Sequence, residues 1–180
     1  MNASGFTAIS SLTSPHKLLD YYLQMLHSAK VDQIKMLAAW SDVAYAPPFK
    51  AFLAEQQQTM LQQRDSLKAL ENIFDVFLMG DICRPVEGLL QEANQVAQFP
   101  GSDIDLTEPL IIQLIQCIKQ YEVTTSRSAL TLAYTIGEQE VANILANVAV
   151  TDSESFLQLQ HLLTTHWENV ELPYNSEMKK

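Results

Sequence analysis

Helix breakers are scarce in this chain, and their positions divide it. Of 180 residues only 5 are glycine and 7 proline. Pro15, Pro47–Pro48, Gly80, Pro100–Gly101, Pro109, Gly137 and Pro173 bound long segments with no breaker inside them. Pro85 and Gly88 mark one shorter segment. Between the breakers the chain is rich in Leu, Ala, Gln and Glu, which lose little on entering a helix. No strand-period alternation of any length competes with this reading. A chain built this way is all-α.

The first helix is expected from about Pro15 to Trp40, with Ser14 as N-cap and Pro15 where a missing N–H costs nothing. Its apolar stripe is Leu19, Tyr22, Leu26, Ala29, Met36, Leu37 and Trp40, at helical spacing. The second runs from near Pro48 to about Phe77 and closes at Gly80. A short third helix, roughly Pro85 to Gln98, leads to the turn Phe99-Pro100-Gly101-Ser102. The fourth starts at Thr107 as N-cap, with Glu108 and Pro109 in its first turn, and ends at Gly137. The fifth carries Val141, Leu145, Val148, Phe156, Leu159 and Trp167. Four long helices and one short one imply an up-down four-helix bundle. Its long connection, between the second and fourth helices, holds the short helix, which is the ferritin-like arrangement. The expected boundaries are a flexible N-terminus over 1–13, a bundle over 14–170 and a flexible tail over 171–180.

Charge excludes some functions. With 11 basic and 21 acidic residues the formal charge is -10, and no Lys or Arg cluster offers a nucleic-acid footprint. No run of 18 apolar residues spans a membrane. The N-terminus lacks the basic start and apolar run of a signal peptide. Two cysteines, Cys83 and Cys117, fit a reducing compartment, so the expected location is cytoplasmic. Neither a nucleophile elbow, a phosphate-cradling glycine loop nor a calcium-loop spacing is present, and no catalytic residue is assigned. His16, His27, His161 and His166 read as surface or boundary histidines, Cys83 as a small buried hydrophobe, and Glu87 as a structural contact of the short helix.

Four stretches together resemble one family. They are Leu26-His27-Ser28-Ala29, Leu70-Glu71-Asn72-Ile73-Phe74, Cys83-Arg84-Pro85-Val86-Glu87-Gly88-Leu89-Leu90, and Tyr121-Glu122-Val123. Their order and spacing over roughly residues 16–165 are similar to those of the YciE/YciF-type ferritin-like family of bacterial stress-associated proteins. The short-helix stretch is the most specific. The resemblance implies kinship with di-iron carboxylate bundles, in which carboxylates and carboxylate–histidine pairs point into the bundle centre. Here the matching positions depart. The first-helix glutamate falls on Lys30, the second-helix glutamate and histidine near Gln62 or Gln63 and Ser66, and a fourth-helix glutamate–histidine pair on Lys119-Gln120. Only Glu122 and Asp152 keep carboxylates, and the chain has no glutamate–x–x–histidine pair. No metal or other cofactor is therefore expected; any metal retained would sit at Glu122 and Asp152.

Lys30 and Gln33, Gln63, Glu122 and Asp152 lie near mid-length of the four long helices, on or beside their apolar stripes. Mid-length positions of antiparallel helices meet at one level, so these five should form a buried polar layer. Glu122 and Asp152, buried ionised and alone, would cost several kcal/mol each. Two arrangements follow. Either the Lys30 ammonium pairs with Glu122 or Asp152 while the glutamines satisfy the remaining oxygens, or Lys30 snorkels outward and the acids sit at a wet edge. The expected function is that of a non-catalytic, stress-associated or structural bundle with a degenerate di-metal site. The alternatives are a metal-dependent oxidase or peroxidase-like protein and a small-molecule-binding bundle. The resemblance also implies a homodimer, for which Val43, Tyr45, Phe49 and Leu53 form a candidate exposed stripe.

Overall fold

The computed structural model describes residues 12–74, 76, 78, 83–98 and 104–169, with the backbone alone at 104 and 105. Five helices account for nearly all of them: α1 Pro15–Val43, α2 Pro47–Phe74, α3 Arg84–Gln98, α4 Ile104–Ile136 and α5 Gln139–Asn169. No strand occurs among the described residues. The expected end of the second helix at Phe77 and Gly80, the turn at Pro100–Gly101 and both flexible termini lie outside them, apart from residues 12 and 13.

Local chemistry sets the ends. Ser14 is the N-cap of α1, its hydroxyl accepting the Lys17 N–H at 3.2 Å, with Pro15 at the first helical position. Gly137 stops α4 in the left-handed region at φ 86°, and the Glu138 N–H reaches back to the Ala133 carbonyl at 2.9 Å. The start of α4 differs from the expectation. It begins at Ile104, not after a Thr107 cap, so Pro109 lies inside the helix. Pro109 forfeits one backbone bond there, near the helix end where the loss is smallest. Glu108, expected as a charge for α4's own first turn, points elsewhere. Its Oε2 accepts the backbone N–H groups of Tyr45 at 2.8 Å and Ala46 at 3.0 Å, which enter α2. A carboxylate from α4 thus satisfies orphan donors at the N-terminus of α2.

Helix α1 packs on α2 and α4, α5 packs on α4 and α2, and α3 lies across α1 and α4. The four long helices form a ferritin-like up-down bundle, and α3 is an addition to one side. Two apolar clusters fill it. One gathers Trp40, Phe49, Leu53, Met60, Ile115 and Leu159, with Val86 and Leu90 of α3. The other gathers Leu19, Leu23, Leu67, Ala133, Leu145 and Val148. Two expectations change on this packing. Phe49 and Leu53 are core residues, each 1% exposed, so the proposed exposed stripe does not exist. His27 is buried rather than a surface histidine, and burial lowers its pKa.

Candidate functional site

On every long helix the polar residues of the layer fall near where one apolar cluster gives way to the other. Lys30 and Gln33 follow Leu26 and precede Leu37 on α1. Gln63 lies between Met60 and Leu67 on α2. Lys119 and Glu122 lie between Ile118 and Ala129 on α4. Asp152 lies between Val148 and Leu159 on α5. The core is apolar at both ends and charged across the middle.

The structure brings the five sequence-derived residues together. The Lys30 ammonium stands 2.6 Å from Asp152 Oδ1 and 2.8 Å from Glu122 Oε1, and the three side chains are out of solvent. Gln33 Nε2 donates to Glu122 Oε1 at 2.7 Å and to its own helix at Ala29 O, 3.0 Å away. From α2, Gln63 Nε2 donates to Asp152 Oδ1 at 3.2 Å. Nearby, Gln56 Nε2 donates to Ser155 Oγ at 2.9 Å.

A sixth residue completes the layer. Lys119, fully buried, puts its ammonium 3.0 Å from Glu122 Oε2 and 3.3 Å from Asp152 Oδ1. The sequence pattern puts Lys119 at a vacated ligand position, outside the expected layer. Charge counting was the available signal: two buried carboxylates need two cations, and Lys119 stands three residues before Glu122, on the same helix face. With Lys119 present, two ammoniums face two carboxylates and the layer is neutral.

At Asp152 and Lys119 the electrostatics agree with that count. Burial favours the neutral acid at Asp152, but Lys30 and Lys119 outweigh it and hold its pKa below the usual carboxylate value. Burial likewise opposes the charge on Lys119, yet Glu122 and Asp152 raise its pKa above the ordinary lysine value. At Lys30 burial wins: its pKa falls, with Lys119 adding repulsion against the pull of Asp152 and Glu122. Gln33 Oε1, Gln56 Oε1, Gln63 Oε1 and Asp152 Oδ2 are buried without a hydrogen-bond partner among the described residues.

This donor set does not fit a di-metal centre. Such a centre needs several anionic oxygens and imidazoles converging on one point. Here the two carboxylates are each engaged by both ammoniums, and no histidine adjoins them. No group of three His, Cys, Asp or Glu side chains able to hold an ion exists among the described residues. Cys83 is buried too, sharing a hydrogen bond with Tyr121, and burial pushes its thiol pKa up to about 11. A nucleophilic role needs a thiolate, which that environment disfavours.

One cleft among the described residues lies away from the charged layer, at the end of the bundle where the α1–α2 turn meets the end of α5. It holds roughly 470 Å³ and is lined by Tyr45, Phe49, Glu108, Ile112, Leu162 and His166, among others. No helix of the described residues is long and apolar enough to cross a membrane.

Among the solved structures that this chain resembles, two give strong likenesses. The crystal structure of the E. coli stress protein YciF superposes with a TM-score of 0.81 at 16% identity, over 88% of this chain and 99% of that one. YcfI from Rhodopseudomonas palustris, for which a structural role has been suggested, gives 0.77 at 16% identity, over 92% and 99%. At that identity the likeness is one of fold. A family model described as a domain of unknown function, DUF892, matches residues 14–169. No curated protein sequence matches.

Proposed function

The chain belongs to the DUF892 family, of YciF type, and on that premise we propose that it is a non-catalytic, structural helical-bundle protein of the stress-associated kind. In this reading its di-metal site has been replaced by a metal-free ion network, it resides in the cytoplasm, and it works as a homodimer. One observation carries the proposal. Lys30 and Lys119 both contact Glu122 and Asp152 at 2.6–3.3 Å, so the protein's own ammoniums supply the positive charge that metal ions would otherwise provide. A stress-associated role is brought over from YciF, and a structural role from YcfI.

The test is metal analysis of protein purified from cells supplemented with iron and manganese. Less than about a tenth of a metal ion per chain is expected, with unfolding midpoints that coincide with and without chelator. About two metal ions per chain, with a midpoint that falls on chelation, would establish the rival metal-dependent reading instead. The small-molecule alternative is favoured only by the cleft beside Tyr45 and His166. A titration that quenches Trp167, the neighbour of His166 in an edge-to-face ring pair, would support it.

A further inference from the structure

The cleft at the end of the bundle combines apolar walls with a single carboxylate. Phe49 of α2, Ile112 of α4 and Leu162 of α5 supply much of its apolar surface. Glu108 is the one carboxylate among the described residues that line it, and no Lys or Arg joins it there. That carboxylate is fixed in place but not neutralised. Glu108 is 2% exposed, and its Oε2 accepts both the Tyr45 and the Ala46 N–H, at 2.8 and 3.0 Å. No described residue donates to Oε1, so one oxygen of a positioned carboxylate keeps its acceptor capacity. Backbone amides supply partial charges only. The full negative charge stays beside an apolar wall, where it attracts a cation more strongly than in water.

Two further features select the same kind of occupant. The Tyr45 hydroxyl lies 3.5 Å from His166 Nδ1, and the two rings meet edge to face with centroids 6.5 Å apart. Aromatic surface of this kind attracts ammonium groups through its quadrupole. Asn169 uses its Nδ2 on the Thr165 carbonyl at 2.8 Å, and its other polar atom, Oδ1, is an acceptor. An ammonium answers every one of these groups with three N–H donors and a positive charge. A carboxylate or phosphate ligand would instead meet the Glu108 charge head-on.

We propose that this cleft binds a small organic amine, with its apolar body against Phe49, Ile112 and Leu162 and its ammonium on Glu108 Oε1. The volume of roughly 470 Å³ suits one small molecule. Net charge works in the same direction, since a chain carrying -10 gathers cations and depletes anions around it. Such a site rests on the small-molecule reading of the cleft and is compatible with a metal-free, non-catalytic bundle.

Calorimetric titration of the full chain with 2-phenylethylamine, 2-phenylethanol and 3-phenylpropionate tests the site, because the three share one body and differ in head group. The amine should bind with a dissociation constant below about 1 mM, at least about tenfold tighter than the alcohol, and the carboxylate should not bind measurably. Glu108→Gln should bring the amine down to the alcohol's level and leave the alcohol unchanged. Thr165→Trp keeps Glu108 and fills the cleft from α5, so it should abolish binding of both at unchanged helical circular dichroism. If none of the three binds the wild type, the small-molecule reading itself falls. If the alcohol or the carboxylate binds as well as the amine, the cleft takes a ligand of another class. Either result, or amine binding undiminished by Glu108→Gln or Thr165→Trp, would overturn the proposal.

Discussion

Replacing Lys30 by Met tests the charged layer most directly. Met nearly fills the volume and removes the ammonium, so contacts at 2.6 Å to Asp152 and 2.8 Å to Glu122 are lost. What remains is one cation, Lys119, facing two buried carboxylates. Removing one partner of a buried ion pair costs about 3–5 kcal/mol. A second route gives a similar figure. The surplus carboxylate can take up a proton, and holding a group of ordinary pKa near 4 neutral at pH 7 costs about 4 kcal/mol, at 1.36 kcal/mol per unit. In a domain of this size that lowers the unfolding midpoint by about 8–16 °C. The pH dependence has a definite sign. In the wild type the lowered pKa of Asp152 adds stability above the unfolded value near 4, which is lost as pH falls through the folded value. In the variant the surplus carboxylate has a raised folded pKa, so its protonated form stabilises below about pH 4 and that stability is lost as pH rises. The gap between the two proteins should therefore widen from pH 5, where the proton costs only about 1.4 kcal/mol, to pH 7. Adding Asp152→Asn to Lys30→Met leaves Lys119 and Glu122 as a balanced pair at 3.0 Å, and should recover most of the loss. Denaturant unfolding at the two pH values measures all of this. A single variant within about 0.5 kcal/mol of wild type at both values, or a double variant less stable than the single, would refute the argument.

Two further outcomes follow from the same structure. Cys117 is exposed and Cys83 is buried with its pKa near 11, so a thiol reagent at pH 8 should label one cysteine in the native chain and the second only in denaturant. Equal native labelling rates would count against the described packing of α3. Glu108→Ala removes the acceptor of two backbone N–H groups and should cost about 1–3 kcal/mol. Glu108→Gln, which keeps an oxygen in place, should cost less; equal costs would mean that the carboxylate does not hold the α1–α2 turn.

How much of this was legible in the sequence differs from feature to feature. The helices were legible because their limits are chemical and local: a Ser-Pro start at α1, a glycine in the left-handed region after α4. The start of α4 was misread because Thr107, Glu108 and Pro109 form a good start signal locally, whereas Glu108 serves the neighbouring turn, a tertiary demand. The same applies to Phe49 and Leu53, whose burial depends on which helices cover them. The polar layer was visible because a charged residue on an apolar stripe must find a partner at the same level. Lys119 is harder to see because it stands where the resemblance expects a metal ligand, and only the balance of buried charge marks it as part of the layer.

The charged layer also says something about how the bundle keeps its register. Leucine against leucine tolerates sliding at modest cost. An ion network does not. Moving one helix by a turn carries an ammonium about 5.4 Å from its carboxylate and leaves buried charge unpaired at several kcal/mol. Buried pairs are weak sources of stability beside an apolar core of equal volume, and the unpartnered acceptors here point the same way. The layer is better understood as what fixes α1, α4 and α5 against one another, since those three helices hold all four charges. Helix α2 contributes only the amide of Gln63, so a slip of α2 would unpair no ion. Its register rests on neutral and terminal contacts instead: Gln56 on Ser155 Oγ, and the Glu108 carboxylate that holds its first turn.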